Sequence, residues 1–402
     1  MIEYLILILI GCVLGTITGL TPGLHVNTLC LLGMSIYPRL GLSPLEFSIA
    51  MVSMSLTHTF LDYIPAIFLG VPEEATCLSV LPTHRLLLQG KAMEAVRLTA
   101  YGSLLGLVFA LLLLPASIRF IPVIYPHLKK YLIYLVLVAV AALIFKEKNT
   151  TNRFWATVIF FLSGELGLIS LNQNMISQSQ ILFPVFTGLF GLSTLITSIR
   201  TNSDIPPQQP YSKVEITPSL IFAGFLGSIG GLIIGVLPAM SPSQAGVLLF
   251  SILKNNPVNF LVCLSAINTS DAIYSLASSY TINNPRSGVA TMISGIIDID
   301  LTTLILFISA MSIAALPAYL IHLKIGRWFS KALRNINYRA LSLATLAFVS
   351  FLIYYLTGWF GCAIAAVSTN IGLLPILKGV GRNHLMGVLI IPTTLYLLSI
   401  PY

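Results

Sequence analysis

The chain is 402 residues long, 56% hydrophobic and only 8% charged, with a mean hydropathy of +0.92. That composition excludes a soluble enzyme and places nearly the whole chain in a lipid bilayer. A net charge of +8 does not point to nucleic acid, because Lys and Arg sit in short loops between apolar runs, where they act as topology signals.

The first apolar run, 2–20, carries Glu3 where a signal peptide would be basic and has no small-residue cleavage site. It is read as a retained first span. It ends at Gly19-Leu-Thr-Pro-Gly-Leu24, gives way to a polar patch from Thr21 to Thr28, and resumes at 27–37. Further runs follow at 47–70, 97–118, 131–145, 154–172 and 181–199. The sustained polar stretch Arg200 to Glu215, rich in Pro and Ser, divides the chain into a first repeat (1–199), a linker (200–216) and a second repeat (217–402). Runs at 218–236, 245–253, 258–280, 288–320, 340–359, 361–377 and 384–400 complete the second set. Runs near ten residues fall short of the ~20 needed to cross, so 27–37 and 245–253 are read as half-helices or re-entrant pieces.

The two sets resemble each other. Gly15, Gly19 and Pro22 match Gly231, Gly235 and Pro238 at an offset of 216, each series breaking into a polar patch. His58-Thr59 and Glu73-Glu74 align with Asn268-Thr269 and Asn283-Asn284 at 210, and Pro184 and Gly188 with Pro375 and Gly379 at 191. Basic residues are rich at 83–97 and 146–153 but sparse in the counterparts 286–300 and 357–361, while 322–339 is richer than 119–130. That exchange is what oppositely oriented halves require, and it puts the linker in the cytoplasm and both termini outside. The expected fold is an all-α polytopic membrane protein of two inverted structural repeats, with broken or re-entrant helices meeting near the bilayer midplane.

Unpaired backbone in hydrocarbon costs several kcal/mol, so paired breaks survive only where protein or water covers them, and they mark a transporter's binding site. Thr21, Pro22, Gly23, His25, Asn27 and Thr28 of the first break, and Pro238, Ser241, Ser243 and Gln244 of the second, are the substrate-binding candidates. Asn268, Thr269 and Arg286 join them, Arg286 as a guanidinium for an anion. The competing reading is a Gly-Pro kink whose polar groups cap the resumed helix, and for Arg286 a snorkelling role at a loop end. An acid at membrane depth costs at least ~2.5 kcal/mol, which makes Asp62 and Asp271 functional candidates. His58 and Asp62 share a helix face, and with Glu73, Glu74 and Asp271 they form the candidate coupling set. Structural pairing of the acids, or enrichment of a helix start for Glu73-Glu74, is the alternative. Five singly placed cysteines are read as small core residues. No HExxH, GxSxG, Walker lysine loop or CxxC occurs, so no enzyme, metal site or cofactor is expected, with Na+ or H+ as candidate coupling ions.

Gly19 to Leu24, Gly235-Val-Leu-Pro-Ala-Met240, Gly70-Val-Pro72, Gln89-Gly-Lys-Ala-Met-Glu-Ala95 and Pro184 to Phe190 together resemble the large permease subunit of tripartite tricarboxylate transporters, the TctA family. His25 and Ala239 stand where that family usually has glycine. The resemblance implies a secondary carrier for carboxylates that works with a small membrane subunit and an extracytoplasmic solute-binding protein. The expected function is thus a permease of the cell membrane for a small organic anion, working by alternating access. A polyprenyl-phosphate translocase and an intramembrane lipid enzyme using His58, Asp62 and Glu73 remain alternatives, as does a scaffold subunit.

Overall fold

The computed structural model describes residues 2–23, 26–200, 206–209, 213–237, 241–250, 252–253, 256–333 and 338–398. Among these residues the only regular structure is helix. Among the described residues eight helical stretches are long and apolar enough to cross a membrane, and exposed Leu, Ile, Val and Phe side chains cover their outer faces, as a lipid solvent requires. The chain is a multi-pass membrane protein.

The first half runs α1 (Ile2–Leu20), α2 (Val26–Leu40), α3 (Pro44–Leu61), α4 (Tyr63–Phe68), α5 (Val80–Leu88), α6 (Ala92–Phe145), α7 (Thr150–Asn172), α8 (Gln178–Phe186), a π-helical turn (Thr187–Leu192) and α9 (Ser193–Arg200). The second runs α10 (Pro218–Val236), α11 (Pro242–Phe250), α12 (Pro257–Ile282), α13 (Gly288–Ser294), α14 (Leu301–Ala332), α15 (Tyr338–Lys378) and α16 (Gly387–Leu397). The run expected at 288–320 is two helices, α13 and α14. The nine residues of α11 span about 14 Å, too short to cross. α15 breaks at Gly358 (φ +63°), where the sequence had separated two runs.

Although α6 is helical throughout its 54 residues, it is not straight, since a straight helix of that length would reach about 80 Å. Gly102 and Gly106 lie against Val262 to Ala266 near the start of α12. Tyr125 meets Arg286 beyond the end of α12. Yet Lys146 is back over Phe250, 5.9 Å from the ring centroid, and Phe250 packs on Phe260 at 4.8 Å. The helix therefore climbs α12 and folds back between Tyr125 and Val136, helped by Pro122 and Pro126. The expected runs 97–118 and 131–145 are its two arms. The loop expected at 119–130 is helical backbone.

The same packing is built twice. In α1 a Cβ on Gly11, Gly15 or Gly19 would strike α3 at Ala50, Met54 and Leu61; in α10 a Cβ on Gly227, Gly231 or Gly235 would strike α12 at Cys263, Ile267 and Tyr274. The glycines correspond at an offset of 216 and their partners at 213. After α4 and α12 the chain reverses through two left-handed residues, Gly70 (φ +66°) and Asn283 (φ +49°), also 213 apart. Each turn closes by the same bond, Val71 N–H to the Pro65 carbonyl (3.3 Å) and Asn284 N–H to the Ser278 carbonyl (3.4 Å), the pattern of a Schellman-type end. Pro72 and Pro285 follow. The register of 213 differs from the 210 read from matching letters: His58 corresponds to Asp271, and Glu73-Glu74 to Arg286-Ser287. Interhelical contact, not residue identity, fixes that register.

Later elements repeat by exchange. Gly167 of α7 lies against Val388 of α16, and Gly372 of α15 against Leu189 of the π-helical turn. Gly387 lies against Phe160 and Ser163; Gly188 lies against Ala365 and Ser368. Each half thus contacts the other reciprocally, the pattern of a two-fold relation. Here too the offsets are 205 and 199 rather than 191, and Gly188, inside a helix, is not the local counterpart of Gly379 (φ +67°).

Asn283 is the non-glycine residue with positive φ among the described residues, and such a backbone costs a branched side chain about 1–2 kcal/mol. Asn283→Val is expected to lower the thermal unfolding midpoint in detergent, while Asn283→Gly leaves it unchanged or raises it. Equal midpoints for Val and Gly would contradict the turn.

Candidate functional site

A cavity of about 210 Å³ lies where the two copies meet. Its walls are matched sets: Ser55, His58, Thr59 and Asp62 from α3 and its end face Asn268, Asp271 and Ala272 from α12, while Glu73, Glu74 and Ala75 face Arg286, Ser287 and Gly288. Six pairs of wall residues stand 213 positions apart, Ser55 with Asn268, His58 with Asp271, Thr59 with Ala272, Glu73 with Arg286, Glu74 with Ser287 and Ala75 with Gly288, while Val26, Asp62, Ser241, Pro242 and Val289 have no such counterpart in the wall. Both extended turns return along the helices they follow, which brings Glu73 beside His58 and holds Arg286 and Ser287 by their N–H groups on the Ser275 hydroxyl (3.1 and 2.6 Å).

The chemistry of the two walls differs. On the first, His58 Nδ1 meets Thr18 Oγ1 at 3.1 Å and Nε2 meets Glu73 Oε2 at 3.3 Å. The buried Asp62 accepts from Asn268 Nδ2 at 2.8 Å, and Thr59 and Thr269 join hydroxyls at 3.1 Å, so α3 and α12 are tied across the centre. On the second wall, Arg286 donates from Nε to the Val236 carbonyl (3.0 Å) and from NH2 to Tyr125 Oη (3.0 Å). The end of α10 is a favourable seat for a cation. Among the described residues the cavity thus holds four carboxyls, from Asp62, Glu73, Glu74 and Asp271, against one guanidinium and one imidazole.

The other sequence candidates lie at its edge or away from it. Ser241 lines the cavity, but Gln244 forms a reciprocal cap with it: Ser241 N–H donates to Gln244 Oε1 (2.9 Å) and Gln244 N–H to Ser241 Oγ (3.4 Å). That is a capping box, and Gln244 Nε2 also reaches Thr393 at 3.4 Å. The buried Ser243 donates to the Glu74 carbonyl and meets Cys77 Sγ at 3.1 Å. Thr21, Pro22 and Gly23 form the bend after α1, with Gly23 (φ +83°) against Phe183 and Leu356. His25 and Pro238, and the side chains of Asn27 and Thr28, lie outside the described residues. The sequence reading missed Thr18, Ser55, Ser275, Ser287 and Tyr125. Small hydroxyls on apolar helices carry no distinguishing signal, and Tyr125 reaches Arg286 only because α6 climbs past it.

A polytopic helical protein with a polar cavity at the contact of two equivalent units, tied by buried polar pairs, is built as a membrane transporter. The chain belongs to the tripartite tricarboxylate transporter TctA family, whose family model matches residues 5–387. Members of that family are transporters rather than enzymes. A protein of Methanocaldococcus jannaschii described as uncharacterized is 30% identical over 410 residues, covering 98% of this chain and 99% of its own. No solved structure matches the chain.

Proposed function

We propose that the protein is a gradient-driven permease for a small organic anion of the carboxylate class, moving it by alternating access between two inverted repeats spanning 1–199 and 217–402. The carrying observation is Arg286, fixed in the wall of a central cavity opposite four carboxyls. A guanidinium recognises carboxylate by a planar fork of donors. The carboxyls oppose an anion unless protons or Na+ enter with it, so His58, Asp62, Glu73, Glu74 and Asp271 serve coupling. The reciprocal contacts between halves support the two-fold rocking that such a cycle needs.

Orientation follows from charge. The basic segments share one end, since Gly326 lies against Val96, Gln208 of the linker receives Ala92 N–H (3.0 Å) and donates to the Leu87 carbonyl (3.0 Å), and Gly381 N–H donates to Glu147 (2.9 Å). This end faces the cytoplasm. The opposite face then meets an extracytoplasmic solute-binding protein, with a small membrane subunit alongside.

The test is uptake of labelled succinate and citrate into proteoliposomes under an imposed pH or Na+ gradient. Accumulation that collapses with an ionophore is expected. Equal uptake with and without any gradient would overturn the coupling, and no anion uptake under any gradient would overturn the substrate class. Glu73→Gln is expected to reduce gradient-driven accumulation at least tenfold while leaving downhill exchange measurable, because it removes an ionisable partner of His58 and keeps its shape.

A further inference from the structure

A second cavity, of about 370 Å³, opens between the start of α5, the start of α12 and the turn at Arg382–Met386. It lies at the basic end and shares with the central cavity only the thin partition in which Ser243 links the Glu74 carbonyl to Cys77. Its wall holds Arg85, Arg382 and Asn383 among the rings of Phe190, Phe250 and Phe260.

Arg382 is the unusual member. It is only 8% exposed, and every bond it makes is to a neutral acceptor: Thr194 Oγ1 (2.5 Å), the Leu189 and Phe190 carbonyls (2.7 and 3.1 Å) and Ser193 Oγ (2.6 Å). The two carbonyls also accept from the Ser193 and Thr194 hydroxyls (2.7 and 2.6 Å), and none of these neutral partners balances the charge. Its Nε has no hydrogen-bond partner. Among the described residues no carboxylate pairs with it; at this end Glu147 is held by His384 (2.9 Å) and Gly381 (2.9 Å), and Glu94 faces Lys91 (3.9 Å). A buried cation without a counter-charge is strongly unfavourable, and here it borders a space large enough for a small molecule, with a second arginine, Arg85, exposed on the same wall.

We infer that this cavity is a second anion site, which takes an oxyanion, carboxylate or phosphate, between Arg382 and Arg85, with any apolar body of the ligand against the three phenylalanines. The inference does not rest on the role given to the central cavity. Free anion and lipid headgroup offer the same chemistry, and the test separates them.

The full chain is placed in phosphatidylcholine nanodiscs, and binding of labelled citrate and inorganic phosphate is measured at equilibrium. Arg85→Ala, at an exposed position, is expected to weaken one class of site about tenfold or more, and Arg382→Gln to abolish it; Arg286→Ala leaves it intact. Leu81→Glu, which sets a carboxylate into the same wall, is expected to abolish that binding with both arginines in place. In a parallel arm, nanodiscs doped with phosphatidylglycerol are washed into phosphatidylcholine, and retained anionic lipid is counted by native mass spectrometry. Retention that Arg85→Ala and Leu81→Glu release assigns the site to a headgroup. If Arg85→Ala and Leu81→Glu change neither soluble-anion binding nor lipid retention, the inference fails, whether or not Arg382→Gln folds.

Discussion

Replacing Arg286 with alanine is expected to lower carboxylate uptake by about 10- to 100-fold, since hydrogen bonds to a charged group contribute about 1.5–3 kcal/mol and each 1.4 kcal/mol is a factor of ten. Lysine should rescue little of this loss. It restores the charge but not the planar fork that sets Nε on Val236 and NH2 on Tyr125 at once. Tyr125→Phe separates orientation from charge. It removes the hydroxyl that holds NH2 and Asn284 (3.0 Å) yet leaves the guanidinium in place, so the apparent KM should rise several-fold with the maximal rate nearly kept. These are read from concentration series in proteoliposomes with protein folding monitored in parallel. Wild-type KM and rate in Arg286→Ala would exclude the residue as the anion's partner.

How much of this was readable in the sequence depended on what kind of signal each feature leaves. The glycines of α1 and α10 showed the repeated packing, because a position that two backbones approach closely admits no side chain. The apolar runs reappear as helices or helical arms, with 47–70 divided into α3 and α4, 181–199 passing through a π-helical turn between α8 and α9, 288–320 divided into α13 and α14, and 384–400 opening on the turn before α16, since lipid demands long apolar stretches. Register was less legible. Matching His58-Thr59 to Asn268-Thr269 by residue type gave 210, whereas the glycine contacts and the two left-handed turns place the equivalence at 213, where His58 corresponds to Asp271 and Glu73 to Arg286. Equivalent positions have taken opposite charges, and divergence of that kind erases letter matching while leaving packing intact. Arg382 escaped notice for another reason: an arginine following the Gly379-Val-Gly381 turn reads as a loop charge, and only the fold brings it onto the carbonyls of a π-helical turn.

Enlarging the small residues that bring α1 onto α3 and α10 onto α12 should damage the protein more than any change in the cavity. A Cβ on Gly231 would lie 2.9 Å from Asp271 N and 3.0 Å from the Ile267 carbonyl, and one on Gly19 would lie 3.0 Å from Asp62 N. The nearest obstacles are Ser270 Oγ, which can rotate aside, and Leu61 Cβ, which cannot; behind both lie these backbone atoms, which do not yield. Close approach of this kind is the main attraction between helices in lipid, where hydrophobic burial adds little. Overpacking costs about 1–3 kcal/mol even where neighbours can yield, so Gly231→Val and Gly19→Val are each expected to exceed that range and to deplete monodisperse protein on size-exclusion in detergent. Ile17→Val, on the exposed face of α1 (48% exposed), should behave as wild type. Because Gly19 backs directly onto Asp62, and Gly231 onto Asp271, a milder Gly→Ala change at either position should shift the cavity acids before it unfolds the chain. Uptake would then fall at temperatures where the protein is still folded. A Gly231→Ala protein with full transport and an unchanged unfolding midpoint would show that these helices do not need the contact distance found here.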